Sequence, residues 1–406
     1  MTNKSTGATV SLPEISEEAL REVVTHLAAM ERPPCSPGER LAAEWIFDRL
    51  KSAGARDVRI EEEPAWGPFP PTVTGLGVLG IVGTLLTLRG RRLRGAIAFA
   101  AALAGLADEI QNGPRVLRRL VRRQKKTANV VAEVGDPNAE RTLVVLAHHD
   151  AAQTGVVFDQ TWAKWLYKRY LELMKASKNQ PPQWWLGVAP PLLTIRAALS
   201  LRKRGVRSAL VLGALGTLVM ADILRNPTVP GANDNLSAVA ALVGIAEALK
   251  SEPMPGIRIV LASCGAEESF QEGIRAFMKR HGPGLPPGRT WFLNLDTVGS
   301  THLVMLEGEG PIWMEDYTDP SFRDLVDGSA RTAGVSLERG VRARASSDGV
   351  IPSRAGYPTA TIVSVMPWRL PGNYHLMSDV PKNLDYESVA DAARISLTVA
   401  KRLAEA

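Results

Sequence analysis

The chain has 406 residues, 45% of them apolar and 22% charged, with a formal net charge of +6. These values exclude a disordered chain and allow a sizeable core, in one large α/β domain or two medium ones. Two cysteines, Cys35 and Cys264, exclude a disulfide framework and a cysteine-built structural zinc site, and they fit a reducing compartment.

Residues 1–20, MTNKSTGATVSLPEISEEAL, hold no apolar stretch of the kind a secretory signal needs, so the chain is expected to start in the cytoplasm. Residues 17–52 have helical spacing on both sides of a break at ERPPCSPG, with Ser36-Pro37 as cap and first-turn proline of the second helix. RDVRIEEE then alternates like a strand. Farther on, ANVVAEV and TLVVLAHHD read as strands separated by the turn-rich GDPNAE. NLSAVAALVGIAEALKS reads as an amphipathic helix. IRIVLASCGAEES, TWFLNLDTVGS and YPTATIVSV read as buried strands, and YESVADAARISLTVAKRLAEA as a closing helix. This alternation, with acids and histidines at strand C-terminal ends, predicts an α/β sheet whose site lies along one edge.

Two stretches break the rhythm. Residues 72–88 and 95–107 carry no charge until Arg89 interrupts them with RGRRLR. Residues 184–195 and 208–221 form a similar pair around RKRGVR. Each apolar segment is shorter than the roughly 20 residues of a comfortable membrane span. They are expected either to pack as an accessory or dimer-forming subdomain or to enter a membrane as two hairpins. Trp162, Trp165, Trp184 and Trp185 resemble interfacial anchors, and Lys164, Lys168, Arg169, Lys175 and Lys178 a membrane-surface helix. Gly75, Gly77, Gly80 and Gly83 would admit close helix packing. The basic run 115–126, RVLRRLVRRQKK, suits anionic lipid, nucleic acid or a solvated face. Because the basic clusters alternate with apolar runs, nucleic acid is not expected as a partner. The expectation is membrane association through residues 72–107 and 184–224 with a cytoplasmic catalytic domain; the alternative is a soluble cytoplasmic protein, and a homodimer fits either.

The polar strand ends carry the chemistry. In HHD, residues two apart on a strand share a face, which pairs His148 with Asp150 and turns His149 away. A carboxylate beside a metal-binding imidazole fixes its tautomer. Asp234 lies in PGANDNLS at a helix start, where an N-cap would be the ordinary role. Glu267 and Glu268 leave a buried strand, as does Asp296, where ionised carboxylates are costly unless paired or metal-bound. His375 sits in the loop GNYHLMSDVPKNLD. Together these residues supply histidine and carboxylate ligands suited to zinc, with carboxylates able to bridge two ions.

The ordered series H-x-D, G-A-x-D-N-x-S, A-E-E, N-x-D-x-x-G and Y-H before a final helix resembles the co-catalytic zinc exopeptidases related to bacterial leucyl aminopeptidase and glutamate carboxypeptidase. CSPGERLAAEWIFDRLKSAGARDVRIEEE, SSDGVIPSRAGYPTATI and NYHLMSDVPKNLDYESVADAARI are similar to flanking blocks of that family. The resemblance implies a three-layer αβα sandwich with a mixed, mostly parallel sheet. It implies two Zn2+ ions, other divalent metals being compatible with the same ligands. Asp234 would bridge them, Glu268 and His375 would complete one site, and His148 and Asp296 the other. Glu267 would be the general base, and Asp150 would orient His148. The Asp234–Asn235 peptide would be cis, and Asp348 would lie near the site. The chain departs from the pattern in length: 83 residues separate Asp150 from Asp234. One zinc exopeptidase domain is therefore expected over residues 1–406, interrupted by apolar/basic insertions at 66–126 and 156–229. The expected function is aminopeptidase-like hydrolysis of the terminal bond of a peptide substrate. Alternatives are glutaminyl-cyclase-like acyl transfer at a single zinc, or an inactive membrane-scaffold relative.

Overall fold

The computed structural model describes residues 14–172 and 203–406. The chain opens with α1 (Glu17–Ala28) and α2 (Pro37–Ser52), each capped by a serine, Ser16 and Ser36, whose hydroxyl accepts a first-turn N–H. Strand β1 (Arg56–Ala65) leads into α3 (Pro70–Leu88), α4 (Arg92–Ile110) and the short α5 (Val116–Val121). Then come β2 (Lys125–Gly135), β3 (Thr142–His148), α6 (Thr161–Arg169), α7 (Lys203–Ile223) and α8 (Ser237–Ser251). The remainder is β4 (Arg258–Cys264), α9 (Glu272–His281), β5 (Thr290–Leu295), β6 (His302–Glu309), β7 (Glu315–Asp316), α10 (Pro320–Thr332), β8 (Glu338–Ala343), α11 (Val350–Arg354), β9 (Thr359–Val365) and α12 (Tyr386–Glu405).

The strands form one mixed sheet in the order β1-β2-β4-β3-β5-β9-β6-β7, with β8 on β6. Parallel pairing joins the central strands β4, β3, β5 and β9 and the β6–β8 pair; antiparallel strands flank the centre. Strand alternation builds two cores. Leu143, Val145 and Ala147 of β3 face the layer containing α1, α2, α8, α10 and α12, while Val144 and Leu146 face Ile274 and Phe277 of α9. The result is a three-layer α/β sandwich. Helix α8 is not amphipathic as expected: every residue from Ser237 to Ile245 is buried, because α1 and α12 cover the side turned from the sheet.

The first insertion is the connection of a β-hairpin. Ala65 of β1 pairs with Lys125 of β2, so α3, α4 and α5 leave and return at neighbouring positions. The second insertion also closes at its base, through a bridge between Gln153 and Thr228. The two do not form separate hairpins, because α3 packs both on α4 and along α7. Residues 184–195, with Trp184, Trp185, Lys175 and Lys178, lie outside the described residues. The helices also run past the uncharged segments, α4 beginning within the basic tip at Arg92. Close approach is set by Gly83, where a Cβ would meet the Gly95 carbonyl oxygen at 2.9 Å, and by Gly77, against Thr217 Oγ1 at 2.4 Å. Among the described residues, Gly75 and Gly80 do not serve close packing as expected: a Cβ on Gly75 would meet nothing within 4 Å, and one on Gly80 would find Ala102 at 3.7 Å.

The basic run 115–126 is not a uniform solvated face. Arg115 and Arg118 are buried; Arg118 pairs with Glu109 at 2.5 Å and with Glu272 at 3.2 Å, and donates to the Ser269 carbonyl at 2.8 Å. Glu272 also accepts from the Trp66 N–H. This network ties the insertion to the segment that follows Glu267 and Glu268.

Candidate metal centre

Four polar loops meet at the C-terminal ends of the parallel strands, where an open α/β sheet places its sites. Asp234 uses both carboxylate oxygens: Oδ1 lies 3.2 Å from His148 Nε2 and Oδ2 lies 3.0 Å from His375 Nε2. His375 Nε2 is also 3.0 Å from Glu268 Oε1. Two ligand groups result, His148–Asp234–Asp296 and Asp234–Glu268–His375; within each, the candidate ligand atoms lie within 4.8 Å of one another. Asp234 is common to both. Glu267 belongs to neither, and its Oε2 is 4.0 Å from His148 Nε2.

Side chains rather than helix caps hold these loops. Asp150 accepts the backbone N–H groups of Glu267 and Glu268, both at 3.0 Å, and sits 3.4 Å from His148 Nδ1. It thus fixes the two glutamates as well as the imidazole beside it. Asn235 brackets Asp296, donating to the Leu295 carbonyl and accepting from the Thr297 N–H. Asn233 accepts from the Gly299 N–H, and Asp379 accepts from the N–H groups of Asn233 and Asp234. The Asp234–Asn235 peptide is cis. His149 turns away and meets Ser263 Oγ at 2.9 Å. Left-handed backbone at the non-glycine residues Ala266, Phe270, Gln271, Thr297 and His375 marks the same loops, a conformation retained where surrounding contacts over-determine it.

The electrostatics call for a cation. Glu267, Glu268, Asp150, Asp234 and Asp348 are all buried around two histidines, with Asp296 partly buried. Burial pushes the Glu267 and Asp296 carboxyls well above the usual carboxylate range; His148 opposes this, and neighbouring carboxylates reinforce it. Burial likewise raises Asp348 to about 7. Asp234 goes the other way: despite burial, hydrogen bonds from His148 and His375 hold it low. Gathered carboxylates with two imidazoles match the donor set of zinc, whose charge would relieve this repulsion. The residues present fit such an ion.

Several supporting residues gave no signal in the sequence. Arg32 is fully buried and donates to the carbonyls of His149, Leu27 and Pro230. Glu39 accepts from the N–H groups of Cys35 and Ala266 and from the Thr127 hydroxyl. Gln271 donates to Glu267 Oε1 at 2.6 Å and to the Ser346 carbonyl. Most of their partners lie far away in sequence, as with Arg32 and His149, Glu39 and Ala266, and Gln271 and Ser346, so spacing did not reveal their roles; Arg32, Glu39 and Asp379 stood inside quoted stretches without being singled out.

A cavity of about 170 Å³ opens on the site. Glu267, Glu268, Gln271 and Tyr374 form its inner end, while Phe69, Val73, Leu106 and Met220 of the insertion region line its walls.

Residues 216–400 match the model of peptidase family M28. That span includes Asp234, Glu267, Glu268, Asp296 and His375, and leaves out His148 and Asp150. No curated protein sequence matches the chain. Among solved structures it resembles a leucine aminopeptidase precursor from Bacteroides thetaiotaomicron, at 14% identity and a TM-score of 0.54, over 97% of this chain and 99% of that one. A Zn-dependent exopeptidase from Parabacteroides distasonis matches at 15% identity and a TM-score of 0.54, over 96% and 99%. A glutaminyl cyclase from Bacteroides thetaiotaomicron bound to N-acetylhistamine matches at 14% identity and 0.54, over 96% and 99%. At these identities the likeness is one of fold.

Proposed function

We propose that the chain is a zinc-dependent metallo-exopeptidase of aminopeptidase type, a reading supported by the match of residues 216–400 to peptidase family M28. The observation that carries this reading is Asp234 turning one carboxylate oxygen to each histidine, with the non-ligating Glu267 beside them. His148, Asp234 and Asp296 would hold one zinc ion, and Asp234, Glu268 and His375 a second. Bound there, zinc lowers the pKa of a coordinated water and polarises the scissile carbonyl. Glu267 takes the proton of the attacking water and returns it to the departing amine. Gln271 orients Glu267 through its 2.6 Å hydrogen bond, and Asp150 holds the peptide groups of both glutamates.

The test is hydrolysis of a peptide panel by wild type and Glu267→Gln, with chelator controls and metal analysis. Cleavage by wild type, its loss in the variant and retained metal support the reading. A wild-type protein that binds both metals and cleaves nothing removes its basis. Cyclisation of N-terminal glutamine belongs in the same panel, because the fold also resembles glutaminyl cyclases; one zinc per chain with cyclisation alone would favour that reaction.

We also propose that the insertions place the protein at a membrane. Helices Pro70–Leu88 and Gly205–Ile223 are each long and apolar enough to cross one, though such helices also occur in soluble cores. Their exposed residues include Val78, Val82, Val211 and Leu218, and Leu93 and Ile97 extend that surface onto α4. Alkaline extraction of the membrane fraction tests this; full release contradicts it.

A further inference from the structure

The cavity over Glu267 and Glu268 does not end at the insertion. A second apolar space continues it between α3, α4 and α7, and Gly77, Leu103, Leu106 and Thr217 line both. The two spaces adjoin at these four residues, and their combined lining follows α3 from Phe69, beside the site, to Thr84. At 1.5 Å per residue that is about 22 Å of helix. The hydrocarbon of one bilayer leaflet is about 15 Å deep, half of a core of about 30 Å. The groove is thus long enough for a lipid-sized alkyl chain and longer than any amino-acid side chain.

Its chemistry selects the same occupant. Among the described lining residues, Glu267 and Glu268 are the only charged ones, and both stand at the catalytic end. A peptide threaded between the helices would leave its N–H and carbonyl groups without partners, at a cost of a few kcal/mol each. An alkyl chain has none to satisfy. The helices that enclose the groove also carry the exposed apolar surface formed by Val78, Val82, Leu93, Ile97, Val211 and Leu218. Among the described residues, no charged side chain lines the path from this apolar surface to Glu267 and Glu268.

Resting on the zinc-hydrolase part of the reading above, and replacing its aminopeptidase specificity because an acylated amine is no free N-terminus, we infer that the substrate is an amide bearing a long alkyl chain, an N-acyl amino acid or acyl peptide. The acyl chain lies between α3, α4 and α7, and the amide meets Glu267. Water oxygen bonds to the acyl carbonyl carbon and the C–N bond breaks. One water proton passes through Glu267 to the leaving nitrogen, giving a fatty acid and a free amine.

The test uses the full chain in lipid nanodiscs with zinc, on two series: N-acyl-leucines from two to sixteen carbons, and alanyl, leucyl and phenylalanyl anilides. The expected result is a kcat/KM that rises with acyl length, by up to about fourfold per methylene where burial is complete. Leu103→Trp should lower the ratio of long- to short-chain kcat/KM at least tenfold, and Leu103→Ala should move the optimum to longer chains. Opposite shifts from one position separate occupancy of the groove from damage to the fold. Displacement of a fluorescent fatty acid from Glu267→Gln protein supplies a readout independent of turnover. Anilide hydrolysis with no dependence on acyl length and no displacement overturns the acyl groove and leaves the peptidase standing. Length-dependent displacement that Leu103→Trp weakens, without hydrolysis of either series, supports the groove and defeats the metallohydrolase reading. Length dependence unmoved by both Leu103 variants overturns the assignment of the chain to this groove.

Discussion

The loops at the strand ends and the inserted helices solve the same problem, burying polar or charged groups, in different ways. At the strand ends, each loop's backbone is held by a side chain from another loop: Asp150 on Glu267 and Glu268, Asn235 on both sides of Asp296, Asp379 on Asn233 and Asp234. The insertion is held by close backbone contact at Gly83, by a buried network around Arg118, and by Gln111 and Asn112, which bond to Trp313, Ser346 and Arg354. The difference teaches that the site should survive conservative changes in the insertion. The insertion, by contrast, should loosen around α5 when the buried Arg118 cation is removed.

Four predictions probe that contrast, from the largest effect to the smallest. Glu267→Gln should reduce kcat by roughly 10²–10⁴ while metal content and melting temperature stay near wild type, since the residue lies outside both ligand groups. Loss of metal in this variant would mean that Glu267 is itself a ligand. Arg118→Met should cost roughly 3–5 kcal/mol of stability by leaving Glu109 buried without its partner and Glu272 with Arg115 as its remaining ion pair. Denaturant melts measure it, and limited proteolysis should cut first within residues 66–124; a loss below about 1 kcal/mol would show the network to be dispensable.

Glu309 gives a pH prediction. It accepts hydrogen bonds from the Tyr317 hydroxyl and the Ser347 hydroxyl, yet burial raises its carboxyl to about 7. The folded protein then holds a proton that the unfolded chain releases near pH 4.5. Its contribution is full below that pH and is lost as pH rises through about 7, for a change of roughly 3 kcal/mol. Glu309→Gln should flatten this part of the stability profile; an unchanged slope between pH 5 and 8 would rule Glu309 out as its source. The smallest effect is reserved for Arg289→Ala, whose exposed pair with Glu140 should be worth under about 1 kcal/mol in the same melts.

The strand-end chemistry was readable because short spacing and strand alternation are local. His148 pairs with Asp150 and apart from His149 by the two-residue period alone. The resemblance then ordered Asp234, Glu267, Glu268, Asp296 and His375, which the fold gathers at one place. What could not be read was set by partners distant in sequence. The turn around Asp234 read as a helix start with a cap, and nothing local showed that Asn233 and Asn235 knit two loops together. Arg115 and Arg118 belonged to a basic run that resembled a solvated face, and only Glu109 and Glu272 explain their burial. The apolar insertion segments were visible from composition, but the pairing of α3 with α7 across the two insertions was not, because an apolar face does not name its neighbour.

Metal stoichiometry tests the central claim most directly. Zinc bound per chain should be measured on purified wild type and Asp234→Asn after dialysis against a weak chelator. The account predicts about two zinc ions in wild type and a loss from both sites in the variant, since Asp234 is shared. No stoichiometric metal in wild type, or full occupancy in Asp234→Asn, would contradict it.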